Sequence, residues 1–314
     1  MFFLRDEILS NEDFLFTLEI EKHSFEIVSV RKKCKYYNVP ASFDIETSSF
    51  LVQTSGLKCS TMYEWTFGIN GFITAGRTWD EYIELISKVE RILGINENLR
   101  LIVYVHNLSY EFQFMRKLFE WDKVFSLDVR KPVYAITTSG TEYRCSYKLS
   151  GYSLATIGKN LQKYKVQKMV GDLDYSKIRH SNTPLTEKEW GYCAHDVLVV
   201  MAYIQEKIES DGSIAKIPLT KTGYVRQFCR ENCFYQYRSH NKWTGKYKKY
   251  HALMKTLTLT PDEYTQLKRA FQGGFTHANA CYSRKTLNNV GSFDFTSSYP
   301  YVMYRFAPRV LNRV

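Results

Sequence analysis

The sequence lacks any long apolar run. Of its 314 residues 44% are hydrophobic, but no stretch approaches the roughly 18 consecutive apolar residues that a membrane-spanning helix requires. The opening residues MFFLR are followed at once by acidic ones, unlike the pattern of a signal peptide. We therefore expect an intracellular protein with no membrane partner.

Paired cysteines are also lacking. The seven cysteines are odd in number and scattered, and no CxxC pair occurs among them, although zinc and redox sites usually carry such pairs. Cys229 and Cys233 lie one helical turn apart, but no second ligand pair follows. We expect reduced thiols and no structural metal.

Acidic residues are scarce relative to basic ones. Lysine and arginine number 43 against 32 aspartates and glutamates, which leaves a net charge of +11. Such an excess favours a polyanionic partner, although many basic proteins bind no nucleic acid. The 24 tyrosines supply rings on which unpaired bases could stack, while most of these rings are expected in the core.

The order of predicted elements divides the chain into three parts. Residues 1–38 contain stretches that alternate apolar and polar side chains, which predicts an N-terminal β extension, either a small hairpin or an added edge element. Residues 39–212 alternate strands and helices, which predicts an α/β domain with a mixed sheet. Its last helix begins at a Thr186-x-x-Glu189 capping box and ends near Ser210. Residues 213–314 contain predicted helices and, over residues 291–300, a strand and a turn.

Four acids occur in three separated segments. Asp44 and Glu46 are two residues apart in a predicted strand and share one face, although such a pair alone is more often a solvated strand end. Glu111 follows a later strand, and Asp196 lies on the capped helix one turn after Tyr192. Two-metal phosphodiester hydrolysis needs several carboxylates, ions about 3.5–4 Å apart and a group that orients water. The ordered set indicates a metal-dependent nuclease.

The segments FDIETSS, YVHNLSYEF and YCAHD resemble the three exonuclease motifs of the DnaQ-like proofreading domain of family B DNA polymerases. The resemblance implies an RNase H-like fold, 3′–5′ exonuclease activity and two Mg²⁺ or Mn²⁺ ions. It implies four metal ligands, Asp44, Glu46, Glu111 and Asp196. Tyr192 would orient the attacking water. The family has aspartate where this chain has the longer Glu111, and we expect activity to be retained.

The same resemblance implies DNA contacts. Those at the frayed 3′ end would come from Thr47, His106, Asn107 and Tyr110. Ser146 lies where the family has a DNA-contacting serine. The segment VGDLDYSK resembles the one that supplies a catalytic lysine and a tyrosine in the protein-primed group, and Tyr175 matches the tyrosine. Val170 occupies the lysine position. Either Lys168 substitutes for that lysine, or the contact is absent and Lys168 is a solvated surface residue, as isolated lysines more often are.

Two later motifs resemble polymerase motifs. FQGGFTHA resembles the YxGG turn that binds template, with Phe271 in place of tyrosine, and paired glycines let backbone amides approach phosphate. The implied template contacts are Phe271, Gly273 and Gly274. FDFTSSYPYVM resembles polymerase motif A, a start of the palm domain. It implies Asp294 as a ligand of the catalytic metals and Ser297 and Tyr299 as contacts of the incoming nucleotide.

The chain is thus identified as the N-terminal part of a protein-primed family B DNA polymerase. The later polymerase motifs are not in the sequence, so we expect no DNA extension by this chain alone and dNTP binding only when the other half is supplied. A truncated gene, a split polymerase and a fragment all fit.

The expected partners are primer-template DNA and single-stranded 3′ ends, and the resemblance also allows a terminal protein and a second polymerase chain. The expected setting is phage or mobile-element replication in a host cytoplasm. A free-standing 3′–5′ exonuclease, a non-catalytic DNA-binding remnant and an RNase H-like nuclease acting on RNA stay open as alternatives.

Overall fold

The computed structural model describes residues 2–31, 34–52, 54, 56–169, 174, 177–233, 238–239, 242–243, 245–270, 280–291 and 293–305. The chain forms two compact units, Met1–Arg238 and Ser239–Val314. The first unit contains the four acids of the predicted exonuclease set, and the second contains Asp294. The expected boundary between residues 212 and 213 stays a prediction.

The first unit is built from strands and helices that alternate along most of its length. Its strands are β1 (Ile8–Leu9), β2 (Ile27–Arg31), β3 (Cys34–Tyr37), β4 (Ala41–Leu51), β5 (Lys58–Ile69), β6 (Phe72–Gly76), β7 (Leu99–Val105), β8 (Trp121–Ser126), β9 (Pro132–Thr137) and β10 (Thr141–Cys145). Its helices are α1 (Asn11–Glu21), α2 (Trp79–Leu93), α3 (Leu108–Met115), α4 (Ser146–Ser150), α5 (Leu154–Asn160), α6 (Glu187–Asp211) and α7 (Lys221–Cys233).

Eight of the strands follow one another across a mixed sheet in the order β1-β6-β5-β4-β7-β10-β9-β8, and β3, which pairs with β2, joins the sheet beside β7. The central strands β4, β7 and β10 run parallel, and the flanking pairs β4–β5 and β9–β10 are antiparallel. Parallel neighbours need a crossover connection, and here α2 lies between β6 and β7 in the sequence. The predicted α/β class with a mixed sheet is confirmed.

Helices cover both faces of this sheet. On one face α1, α2 and α3 bury a large aromatic core in which Phe43 of β4 stacks on Tyr82 of α2, with ring centroids 4.3 Å apart. On the other face α5 and α6 pack against Ile102 and Tyr104 of β7. Because side chains alternate along a strand, β4 and β7 contribute to both layers. Asp196 belongs to α6 and therefore lies on the second face of the sheet.

The N-terminal segment differs from the prediction. Residues Asn11–Glu21 form helix α1, whose Ser10 cap accepts a hydrogen bond from the Asp13 amide. Phe14 and Leu18, four residues apart, are fully buried on one helix face. The β-hairpin interpretation is therefore wrong for this stretch, because its apolar residues also match a helical period. Strands β2 and β3, which lie on either side of the basic residues 32–33, do pair antiparallel.

The second unit contains short elements. They are β12 (Lys242–Trp243), which pairs with β11 (Arg238–Ser239), and the helices α8 (Gly245–Thr256), α9 (Pro261–Ala270) and α10 (Ser298–Arg305). The strand predicted just before Asp294 is not formed: Phe293 and Phe295 are 98% and 85% exposed. No strand pairs with them in the described part of the chain, and an isolated strand leaves its backbone groups unsatisfied.

Two further expectations concern the described residues. Six cysteines, Cys34, Cys59, Cys145, Cys193, Cys229 and Cys281, are free thiols, as the scattered spacing predicted. No helix in the described ranges combines the length and the hydropathy that crossing a bilayer requires.

Candidate active site

Strand β4 carries the first two acids. Phe43 and Ile45 point into the aromatic core, so the intervening Asp44 and Glu46 point to the opposite face. The pairing of β4 with β5 shifts next to them: Glu46 pairs with Glu64, whereas Thr47 pairs with Met62. One extra residue of β5 therefore forms a bulge beside Glu46, and bulges commonly re-aim side chains next to active sites.

Helix α6 carries the third acid. It begins as predicted with a capping box, in which the Thr186 side chain accepts from the Glu189 amide and the Thr186 amide donates to Glu189 Oε2 at 2.8 Å. Asp196 lies in its third turn and is buried. Asp44, Glu46 and Asp196 each offer one carboxylate oxygen, and these oxygens lie within 4.8 Å of one another.

The fourth acid enters from the turn between β7 and α3. Asn107 precedes α3 with a left-handed backbone, φ 72° and ψ 50°, and Glu111 follows in the first helical turn. Glu111 is buried, and its carboxyl is an electrostatic neighbour of Glu46 and Asp44. The tertiary fold thus brings the four predicted acids together from three separate segments.

Burial and mutual repulsion perturb this cluster. Loss of solvent raises the pKa of Glu46 to about 7 and that of Glu111 to about 8. The pKa of Asp44 is raised well above its usual value, first by burial and then by the charges of Asp196 and Glu111. Several carboxylates that resist ionisation side by side are an arrangement that a cation would stabilise.

Lys168 completes the charged group. Its Nζ donates to Asp196 Oδ2 at 2.5 Å and lies 4.9 Å from the centroid of the Tyr192 ring. This ammonium opposes the effect of burial on the pKa of Asp196, which nevertheless remains raised. Only 24% of the lysine side chain is exposed, so the solvated-surface alternative is wrong. Tyr175 and Val170 lie outside the described residues.

The predicted contacts of the DNA 3′ end surround the acids. Thr47 Oγ1 and the Tyr110 hydroxyl are hydrogen-bonded to each other, and the Tyr110 ring is 43% exposed. His106 Nδ1 lies 3.1 Å from the Oγ of buried Ser146. Burial and the nearby lysine lower the pKa of His106 to about 4, which keeps the imidazole neutral near pH 7.

A cavity of about 240 Å³ opens at the acids. Asp44 and Asp196 line it together with Lys168, His106 and Asn107. Its walls therefore combine carboxylates, one ammonium and neutral polar groups. This composition suits a phosphodiester whose charge is held by cations.

Two residues near the site escaped the sequence prediction. Glu64 of β5 is 1% exposed and accepts a hydrogen bond from Thr66 Oγ1, and burial raises its pKa to about 8. A glutamate in the otherwise apolar strand segment YEWTFGI was the signal that could have revealed it. Arg179 is also buried: it pairs with Glu189, and its amide donates to Ser48 Oγ at 2.8 Å. No local pattern marks that arginine.

The polymerase-motif residues lie elsewhere in the chain. Phe271, Gly273 and Gly274 fall outside the described residues. Asp294, Ser297 and Tyr299 belong to the second unit and are exposed. Ser297 has a left-handed φ of 55°, and its carbonyl accepts from the Tyr301 amide at 2.9 Å as α10 begins. Within the described ranges, Asp294 has no place in a group of potential metal ligands.

The cluster of acids fits a divalent cation. Glu111 Oε2 and Asp196 Oδ1 are buried, and neither finds a hydrogen-bond partner among the described residues. A buried carboxylate oxygen without a partner is unfavourable unless a cation or water satisfies it. Carboxylate oxygens are the ligands that hard divalent cations prefer.

Comparison with known proteins gives the family. Residues 109–308 match the family described as DNA polymerase type B, organellar and viral. The chain belongs to this polymerase family. The matched residues include Glu111, Asp196 and Asp294, the acids of the segments that resemble the second and third exonuclease motifs and polymerase motif A.

Individual members of this polymerase family are distant relatives. The DNA polymerase of Bacillus phage phi29 is 25% identical over 251 residues, which are 73% of this chain and 38% of the relative. Phi29 DNA polymerase complexed with single-stranded DNA matches with a TM-score of 0.52 at 18% identity, over 79% of this chain and 42% of the other. Its orthorhombic crystal form matches with a TM-score of 0.51, also at 18% identity, over 79% and 41%. The chain spans about two fifths of these relatives' length, and the structural likeness shows the fold.

Proposed function

We propose that this chain carries the 3′–5′ proofreading exonuclease of a protein-primed family B DNA polymerase and hydrolyses DNA phosphodiesters with two Mg²⁺ or Mn²⁺ ions. The observation that carries the proposal is the cluster of Asp44, Glu46 and Asp196, with oxygens within 4.8 Å of one another. Glu111 adds a fourth carboxyl, which is buried. A phi29 polymerase of this fold complexed with single-stranded DNA supports DNA as the substrate.

Each acid has a place in this mechanism. Asp44, Glu46, Glu111 and Asp196 would hold the ions, which when bound supply charge stabilisation at the phosphate and an activated water. Lys168 holds Asp196 in one orientation and offsets part of the carboxylate repulsion. Tyr192, one turn before Asp196 on α6, would orient the attacking water.

The surrounding groups would position the DNA end. The exposed Tyr110 ring, steadied by its hydrogen bond to Thr47, offers a face for the terminal base. His106 is neutral and lies within hydrogen-bond distance of Ser146. Its imidazole can form hydrogen bonds with the DNA strand without adding charge. Asn107 is exposed at the rim, where its amide can reach a sugar or a phosphate.

Hydrolysis of DNA labelled at its 3′ end tests the proposal. With Mg²⁺, we expect release of labelled mononucleotide by the wild-type chain and a loss of at least about a hundredfold in the Asp44→Ala/Glu46→Ala variant. A matched control is Asp80→Ala/Glu84→Ala, which removes the same two residue types from the exposed side of α2. Equal rates in the two variants would overturn the site assignment, and faster cleavage of an RNA strand would favour the RNA nuclease.

The polymerase activity is proposed for the whole protein. Asp294 would bind its catalytic metals, Ser297 and Tyr299 would contact the incoming dNTP, and Phe271, Gly273 and Gly274 would contact template. When this chain is assayed together with the segment that supplies the later motifs, Asp294→Asn should abolish primer extension and leave 3′ hydrolysis intact. Primer-template DNA, a terminal protein and a host cytoplasmic setting belong to the same proposal.

A further inference from the structure

A second cavity lies away from the carboxylates. It measures about 400 Å³ and is formed by residues of α4, α5, α6 and the first turns of α7. Three tyrosines, Tyr152, Tyr203 and Tyr224, and two lysines, Lys207 and Lys221, line it. The volume falls within the range of about 300–1,000 Å³ that is usual for small-molecule sites.

The two lysines are held over the tyrosine rings. Lys207 Nζ lies 5.7 Å from the Tyr203 centroid and 5.3 Å from that of Tyr224. Lys221 Nζ lies 4.3 Å from the Tyr152 centroid. Both ammonium groups therefore lie over aromatic rings that line the cavity.

Neither lysine forms a salt bridge within the described part of the chain, although Asp211 accepts a hydrogen bond from the hydroxyl of Tyr224 at 2.6 Å. No carboxylate lies within salt-bridge distance of either ammonium there. One acid, Glu206, does line the cavity. Its Oε1 accepts hydrogen bonds from the backbone amides of Gln162, Lys163 and Tyr164 at 2.8, 2.7 and 3.2 Å. This oxygen therefore stabilises the turn that follows α5. The side chains lining the cavity retain a positive balance.

This cavity follows the same face of α6 as the acid cluster. Val200 lines the carboxylate cavity, and Tyr203 and Lys207 line the second one. These residues lie 4, 7 and 11 positions after Asp196, a spacing that stays on one helical face. At 1.5 Å per residue Lys207 is about 16 Å along the axis from Asp196.

We propose that the second cavity binds one nucleotide, with the base against the tyrosine rings and the phosphate on Lys207 and Lys221. Aromatic faces accept any base, and ammonium groups bind phosphate as point charges. The nucleotide comes either from a single strand of DNA or from free mononucleotide. The inference rests on the proposed function only for DNA as the source.

Binding is measured in EDTA, which prevents metal-dependent hydrolysis of the probe at the acid cluster. The probes are thymidine 5′-monophosphate, followed by calorimetry, and a fluorescent oligothymidylate, followed by anisotropy. We expect Lys207→Ala/Lys221→Ala to weaken binding of a probe by at least about tenfold. The control Lys159→Ala/Lys165→Ala removes two exposed lysines that do not line the cavity, and it should change affinity by less than about twofold.

The two probes distinguish the sources of the nucleotide. If Lys207→Ala/Lys221→Ala loses affinity for both probes, the site binds a free nucleotide. If that variant loses affinity for the oligonucleotide alone, the site binds one nucleotide of a single strand. Tyr203→Leu, which keeps every charge, should weaken binding roughly tenfold through lost stacking. Lys207→Gln/Lys221→Gln repeats the charge test with bulkier side chains.

Equal losses in the cavity and control variants, or no binding of either probe to the wild-type chain, would overturn the proposal. An unchanged Tm of each variant shows that it is folded. Because hydrolysis with Mg²⁺ is measured separately, failure of the exonuclease proposal and failure of this one are distinguishable.

Discussion

Lys168 donates a hydrogen bond to Asp196 across 28 residues of sequence, with Nζ 2.5 Å from Oδ2. The same ammonium lies over the ring of Tyr192, one turn earlier on α6. The resemblance of the motifs places Val170 at the position of the expected catalytic lysine, and Lys168 brings a positive charge to the acids from two residues earlier.

We expect Lys168→Gln to lower the rate of 3′ hydrolysis by about 10- to 100-fold, because Asp196 loses its orienting partner. Single-turnover cleavage of labelled single-stranded DNA measures this rate. Lys165→Gln, which neutralises an exposed lysine three residues earlier, is the matched control and should stay within about twofold. A Lys168→Gln rate as high as that of the control would remove the lysine from the mechanism.

Glu111 supplies a carboxylate where the resemblance to the second exonuclease motif predicts an aspartate. We expect Glu111→Asp to retain hydrolysis within about tenfold, since the charge is kept and moves by one bond. Glu111→Gln keeps the shape and removes the charge, so it should lose at least about a hundredfold. The two variants are compared at saturating Mg²⁺. Similar activities would show that the charge of this group is not used.

The metal should stabilise the chain in a pH-dependent way. The pKa values of about 7 for Glu46 and about 8 for Glu111 mean that protons compete with the ion at pH 6 more than at pH 8. A concentration of Mn²⁺ at 100 times its Kd stabilises the folded state by about 2.7 kcal/mol. Thermal unfolding with Mn²⁺ and with EDTA should show the larger Tm shift at pH 8. A shift that persists in Asp44→Asn/Asp196→Asn would place the ion elsewhere.

Glu64 should make the metal-free chain less stable as the pH rises. Its pKa is about 8 in the folded state against 4.5 ordinarily, so between these values the unfolded chain releases a proton that the folded chain keeps. Stability is unaffected below about pH 4.5 and falls up to about pH 8, by roughly 5 kcal/mol at most. We expect Glu64→Gln to flatten this fall in urea unfolding at pH 5 and pH 8.5 in EDTA. An unchanged slope would contradict the assignment.

Local patterns were sufficient for much of the fold. The capping box at Thr186 predicted the start of α6, and the alternation around Asp44 predicted β4. The pattern was ambiguous over residues 14–21, where apolar positions fit both a strand and a helix, and burial of Phe14 and Leu18 favours the helix. The residues beside Asp294, Phe293 and Phe295, have a high β propensity, but among the described residues no neighbouring strand pairs with this segment.

The sequence by itself determined the four acids, their order and the elements that carry them, because capping and side-chain periodicity depend on neighbours a few residues away. Only the tertiary structure decided that Lys168 reaches Asp196, that Glu64 lies beside Glu46 across two strands, and that three tyrosines and two lysines share a cavity. Those relationships join residues far apart in the chain, and they depend on how the sheet and α6 pack, which no local pattern specifies.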